Sequence, residues 1–189
     1  MRFSFISGSV WLFLCKYSQG HPQTPQTPFQ PSTLRSGAQP MHARAILMSP
    51  IGAPIYGLVE FRGTNLTDVQ VEVIVYGLDN LLPHTEHAYH IHTNPIGADG
   101  NCEAAGGHLT PNGIPDSVPC NPSLPRACQE GDLSGKHGLL PGGKRVVHLA
   151  YTDNTLNFNA PENGIVGRGL VIHDGKARIA CGNIVMMRN

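Results

Sequence analysis

Residues Glu86–Gly113 read EHAYHIHTNPIGADGNCEAAGGHLTPNG. His90 and His92 stand two apart in a run of strand composition, so a period of two puts both imidazoles on one face and sends Tyr89 and Ile91 to the other. A glycine-rich excursion carrying Cys102 then returns a third histidine, His108, directly behind Gly106 and Gly107, where backbone can approach closely. A fourth, His173, ends another strand-like run, GLVIH, and Arg178 and Cys181 follow in KARIACGNI. Three or four neutral imidazoles with no thiolate among them are a donor set that a Cu(II)/Cu(I) couple accepts. A half-buried strand often carries His-X-His by chance; the four pieces in this order say far more.

Working outward, short runs of strand composition recur: ARAILM, YGLVEFRG, VQVEVIVYGL, HAYHIHT, RVVHLAYTD, GIVGRGLVIHD and ARIACGNIVM, punctuated by Gly, Pro and Asn. The cleanest alternation puts Val69, Val71, Val73 and Val75 on one face, and no long stretch has helical period. Seven or eight short strands in about 150 residues predict an antiparallel sandwich or barrel. Leu109 to Gly143 carries almost no strand signal and many Gly and Pro, and is expected to be one long functional loop.

The 189 residues hold 13 Lys+Arg against 13 Asp+Glu, a formal charge of zero that argues against nucleic acid or an anionic membrane as partner. Gly (22) and Pro (16) are abundant and charged residues scarce at 14%, which favours a turn-rich β protein over a helix bundle. Residues 1–20 read as a secretory signal, with a basic Met1-Arg2 and a mostly apolar run from Phe3 to Cys15 too short to span a bilayer comfortably. Residues 21–40, rich in Pro, Gln and Thr, cannot bury enough apolar surface to offset their ordering entropy and read as a flexible linker. The folded domain is expected over 41–189. Removing the leader discards Cys15 and leaves four cysteines, an even number suited to an oxidising compartment, and Asn65-Leu66-Thr67 is a glycosylation sequon. No apolar tail follows Met187, so a lipid anchor at the C-terminus is not expected. The expected location is extracellular or at the cell surface.

From about Met41 onward the chain resembles the copper/zinc superoxide dismutase family, through HIH, AAGGHLTP, GDLSGKHG, GRGLVIH and RIACG. The resemblance implies an all-β, eight-stranded antiparallel Greek-key barrel or sandwich with long loops. It implies copper ligands at His90, His92, His108 and His173, an active-site arginine at Arg178, and a disulfide between Cys102 and Cys181. Closing so long a loop contributes about 4 kcal/mol in the chain-entropy model. Cys120 and Cys128 share one Pro-rich loop and are expected to pair, although four cysteines allow three connectivities. His137 matches the family motif in a structural rather than a copper role, and His84, His87 and His148 have no motif support.

Two departures bear on the chemistry. Zinc-binding members of the family place two further histidines between the third copper ligand and the aspartate of the GDL motif, whereas Leu109 to Gly131 contains none and Gln129 stands at one such place. Only His108 and Asp132 remain of the zinc set, and two ligands do not make a closed tetrahedral site. The family's long charged loop is also missing: only Asp174-Gly175-Lys176-Ala177 separate His173 from Arg178, so the site is expected to be open to solvent. Together these losses resemble the copper-only, secreted fungal-type branch. The implied reaction is disproportionation of superoxide to dioxygen and hydrogen peroxide, with Arg178 drawing in the anion, His108 handling a proton, and Asp132 accepting a hydrogen bond from the far nitrogen of His108. The alternatives are an extracellular copper-binding or copper-delivery module on the same fold, for which Arg178 has no use, and a metal-free structural domain. Oligomeric state stays open.

Overall fold

The computed structural model describes residues 40–50, 52, 54–64, 68–159 and 162–188. The expected leader, nearly all of the Pro/Gln/Thr-rich segment and the Asn65–Thr67 sequon lie outside the described residues. Among the described residues nine strands follow in chain order: β1 (Pro40–Met48), β2 (Tyr56–Thr64), β3 (Val69–Tyr76), β4 (Glu86–His87), β5 (Tyr89–Ile91), β6 (Leu140–Pro141), β7 (Val146–Asp153), β8 (Gly169–Asp174) and β9 (Ala177–Met186). Pro40 opens β1, a position where the missing N–H is harmless.

Seven strands form one antiparallel sheet in the order β5-β8-β9-β1-β2-β3-β7, and β4 pairs with β6 in a separate ribbon. The expected all-β antiparallel architecture is present, with the strands divided between these two sheets. Alternation decides which side chains go inward. Val69, Val71, Val73 and Val75 of β3 are buried, as are Ala43, Ala45 and Leu47 of β1 and Val59 and Phe61 of β2. These join Tyr89, Ile91, Val147, Leu170, Ile172 and Ile184 in one cluster. Each large side chain so buried contributes about 1.5–3 kcal/mol relative to exposure.

That cluster contains residues of both edge strands, β5 and β7, and the Tyr89 hydroxyl donates to that of Tyr151 across 3.1 Å. The sheet is therefore curled until its edges face one another, which gives the barrel. β8 is buried on both faces. Leu170 and Ile172 point into the main core, while Val171 packs outside it with Ile96, Cys102, Ala105 and Cys181. This double burial is why GLVIH reads as a continuous apolar run.

The region expected to be one long loop contains more order than its sequence suggested. It holds a 3-10 turn at Pro125–Ala127, one short α-helix, α1 (Leu133–His137), and β6. Five residues are too few to display a period of 3.6, and Gly135 within them weakens any helical signal. α1 is anchored from its far end. The Lys136 ammonium is buried and donates to the Glu130 carbonyl (2.8 Å) and the Thr155 hydroxyl (2.7 Å), and it pairs with Asp153 at 2.6 Å. His137 stacks on Tyr151 and reaches the same Asp153 carboxylate at 2.8 Å. Burial alone would raise the carboxyl pKa of Asp153; hydrogen bonds from His137, Lys136 and Thr155 outweigh it and hold the group far below the usual range. Among the described residues no helix is long and apolar enough to cross a membrane.

Removing one member of a buried ion pair leaves an uncompensated charge, which costs about 3–5 kcal/mol. Asp153→Asn keeps the shape but leaves the Lys136 ammonium without its counter-charge. Urea unfolding is expected to show a loss in that range; a loss below about 1 kcal/mol would mean that the pair does not anchor α1.

Candidate metal centre

His90 lies on β5 and His92 immediately after it, with Tyr89 and Ile91 turned into the core as the period of two requires. His108 is brought alongside by the backbone. The Thr93 N–H donates to the Gly107 carbonyl and the Leu109 N–H to the Ile91 carbonyl, both at 2.9 Å. The loop's return is close: Ile91 N–H donates to the Gly131 carbonyl at 2.9 Å, and a Cβ at position 131 would run into the Ile91 carbonyl. His173 comes from the end of β8, where it sits across from Arg178 of β9. One ring nitrogen from each of the four histidines lies within 4.8 Å of the other three.

What each ring does with its second nitrogen decides which nitrogen is left over. His92 donates from Nδ1 to the Gly106 carbonyl at 2.9 Å, which leaves the Nε2 lone pair, 3.2 Å from Nε2 of His173. His108 donates from Nδ1 to Oε1 of Gln129 at 2.7 Å, so its Nε2 is the free one. The Gln129 amide is fixed in that sense because its Nε2 donates to the Ile114 carbonyl and to Asp116, each at 2.8 Å. His90 is reversed. Its Nε2 is 3.0 Å from the Ser134 hydroxyl and 3.4 Å from Asp132, while its Nδ1 is buried with no hydrogen-bond partner. A buried ring nitrogen left orphaned among three other imidazoles is what a metal ligand looks like before its ion is counted.

The electrostatics keep three of these rings neutral. Burial, reinforced by Arg178 and the adjacent imidazoles, lowers His92 to about 4 in spite of the Gly106 hydrogen bond. Burial and the neighbouring histidines lower His173 to about 3. His108 is lowered as well, by burial and by His90. At neutral pH these lone pairs are available to a cation. The donor chemistry fits copper: all-imidazole, with no thiolate, because Cys102–Cys181 and Cys120–Cys128 are both disulfides.

Arg178 is beside this cluster. Its Nη1 donates to the Cys102 carbonyl at 2.8 Å and its Nη2 to the Gly106 carbonyl at 2.6 Å, the same carbonyl that holds His92. Glu103 lies 3.3 Å from its Nε. The long-range disulfide, the His108 loop and the cation are thus one tied unit. Each terminal guanidinium nitrogen keeps a second N–H for a small anion.

One expectation needs correcting. Asp132 does not serve His108, whose Nδ1 is taken by Gln129. Asp132 is the N-cap of α1, accepting from the Gly135 N–H at 2.7 Å and from Ser134 at 3.3 Å, and this turns its carboxylate toward His90. Burial alone would raise its pKa; the adjacent His90 ring and hydrogen bonds from Gly135 and Ser134 lower it instead. Ser134 and Asp116 were not singled out from sequence, and nothing in their spacing from the histidines would have done so. Gln129 was noted at the place of a zinc-binding imidazole but not as the partner of His108, although an amide oxygen there is a ready acceptor. His137 and His148 pair with carboxylates, Asp153 and Glu72, away from the cluster, and His87 is buried beside Thr85.

The family described as copper/zinc superoxide dismutase (SODC) matches residues 55–184. A cell surface Cu-only superoxide dismutase of Arthroderma benhamiae is 36% identical over 108 residues, 54% of this chain and 29% of that protein. Cell surface Cu-only superoxide dismutase 5 of Candida albicans is 31% identical over 136 residues, 70% of this chain and 56% of that protein. The chain therefore spans less than two thirds of the length of these curated relatives. Among solved structures, Candida albicans superoxide dismutase 5 with Cu(II) superposes with a TM-score of 0.67 at 28% identity, covering 80% of this chain and 95% of that one.

The neutral histidines make the metal-free protein acid-sensitive. Burial pushes the pKa of His92 down to about 4 and that of His173 down to about 3 in the folded protein, against about 6.5 in the unfolded chain. Below that value the unfolded chain takes up protons that the folded one refuses. Stability is therefore expected to fall as pH drops from about 6.5 toward the folded values, by up to about 1.4 kcal/mol per pH unit for each residue. Urea midpoints of the apo protein at about pH 7 and about pH 5 measure this; equal midpoints would contradict the burial of these rings.

Proposed function

The chain belongs to the copper/zinc superoxide dismutase family, and from that premise we propose that it is a secreted copper-only superoxide dismutase. The observation that carries the reading is the convergence of four imidazole nitrogens, one of them the orphaned Nδ1 of His90, beside the Arg178 guanidinium. Copper held by His90, His92, His108 and His173 supplies one-electron chemistry, which the disproportionation of two superoxide anions and two protons to dioxygen and hydrogen peroxide requires.

The chain's own groups do the rest. Arg178, fixed by the Cys102 and Gly106 carbonyls, presents a positive charge that attracts and orients the anion. His108 holds or releases a proton at Nε2 while Gln129 keeps its Nδ1–H in place. Burial lowers the affinity of that ring for the proton, which favours handing it on. With only a four-residue turn between His173 and Arg178, nothing like a long charged loop roofs the site from that side. The zinc of zinc-containing relatives has no counterpart in this reading: Gln129 occupies Nδ1 of His108, and Cys120 and Cys128 are joined to each other. Two disulfides and relatives named as cell surface proteins support export to an oxidising exterior.

Elemental analysis of the purified protein is expected to give one copper and no stoichiometric zinc; near-equal copper and zinc at saturation would sink the copper-only reading. Arg178→Ala is expected to keep its copper but to lose dismutase activity by about 10- to 100-fold, with a flatter dependence on ionic strength. Loss of copper from that variant would make Arg178 a structural residue. Full copper occupancy of the parent without dismutase activity would favour a copper-delivery module.

A further inference from the structure

We infer that Ser134 is the positioning residue for His90, fixing the tautomer and the ring plane that leave Nδ1 free for the metal. The inference rests on the reading of His90 as a copper ligand and concerns how this chain, in particular, secures it.

A neutral imidazole carries one N–H and one lone pair, and the two cannot both face the same partner. In His90 the nitrogen turned to the other histidines, Nδ1, is buried and has no hydrogen-bond partner. The opposite nitrogen, Nε2, is 3.0 Å from the Ser134 hydroxyl oxygen. That hydroxyl is in turn 3.3 Å from Oδ1 of Asp132, which also accepts from the Gly135 N–H at 2.7 Å. A carboxylate only accepts, so the direction of the chain is set from its end. Ser134 donates to Asp132, its oxygen lone pair is then the acceptor for Nε2–H of His90, and the lone pair of the ring is forced onto Nδ1.

Asp132 alone is a poorer candidate for this job, because its Oδ1 is 3.4 Å from Nε2 against 3.0 Å for the Ser134 hydroxyl. Water is the other competitor. His90, Asp132 and Ser134 line an open cleft of about 660 Å³ whose lining includes none of the other three histidines, so solvent is at hand beside this group. A hydroxyl held within α1 does what a mobile water does not, because it fixes the ring plane before any metal arrives. α1 is itself held by its Asp132 cap at one end and by the buried Lys136–Asp153 pair at the other. The rigidity of that turn is thereby transmitted to a copper ligand with which it shares no strand.

The first measurement uses the intact apo protein. ¹⁵N resonances are expected to show His90 protonated at Nε2, with that proton slow to exchange. In Ser134→Ala the same proton is expected to exchange faster, Cu(II) affinity by competition titration to fall by about 10-fold, and the Cu(II) EPR hyperfine coupling to change, while the apo melting temperature stays close to the parent's. A proton on Nδ1 of His90 in the parent would overturn the inference outright and needs no variant, so it decides the matter even if Ser134→Ala fails to fold. A folded Ser134→Ala with parental copper affinity and EPR spectrum would overturn it too. Absence of copper binding by the parent would instead strike the proposed function, and the apo tautomer would still report on Ser134.

Discussion

Four imidazole lone pairs have to converge on one point, and nearly every other feature of the functional end of this protein follows from that demand. Bringing the nitrogens within 4.8 Å of one another gives the rings no attraction of their own. Each must be neutral, and each must have its proton kept on the other nitrogen. Burial meets the first requirement, since it penalises the imidazolium. The second is met for three of the rings by different means: a main-chain carbonyl for His92, the Gln129 amide for His108, and a serine hydroxyl for His90.

These acceptors lie on segments that are not strands, so the barrel alone could not have placed them. The Gly106 carbonyl lies on the loop tied to β9 by the Cys102–Cys181 bridge and by both terminal nitrogens of Arg178. Gln129 follows the Cys120–Cys128 staple directly, and Ser134 rides on α1, which the buried Lys136–Asp153 pair fixes to the end of β7. Two disulfides, one of them aided by an arginine, and a buried ion pair constrain three irregular segments. All three segments meet at the same cluster. In a zinc-containing relative a second metal would organise part of this region; here covalent and ionic ties among the chain's own residues hold it.

The same arrangement explains why Arg178 can act on an anion without being a ligand. Its guanidinium is held by carbonyls that belong to the His108 loop, so cation and imidazoles move together or not at all. The short turn between His173 and Arg178 keeps the two on adjacent ends of the β8–β9 hairpin.

Much of this was legible in the order of residues. The period of two in HAYHIHT assigned the faces of His90 and His92, alternation in β3 assigned its valines to the core, and the motifs around His108, His173, Arg178 and the cysteines carried the family likeness. Strand periodicity is local, and a metal motif keeps its ligand types in sequence, so neither needs the fold to be seen. What the sequence did not determine is who holds the far nitrogens. The expected partnership of Asp132 with His108 gave way to Gln129, and Asp132 instead caps a single helical turn beside His90. Such second contacts depend on where an irregular loop turns, on a cap whose geometry is fixed by a buried ion pair some twenty residues away and on ring tautomers. Only the tertiary structure decides these, because hydrogen-bond partners within a few ångström are set by packing between segments and leave no period or spacing in the chain.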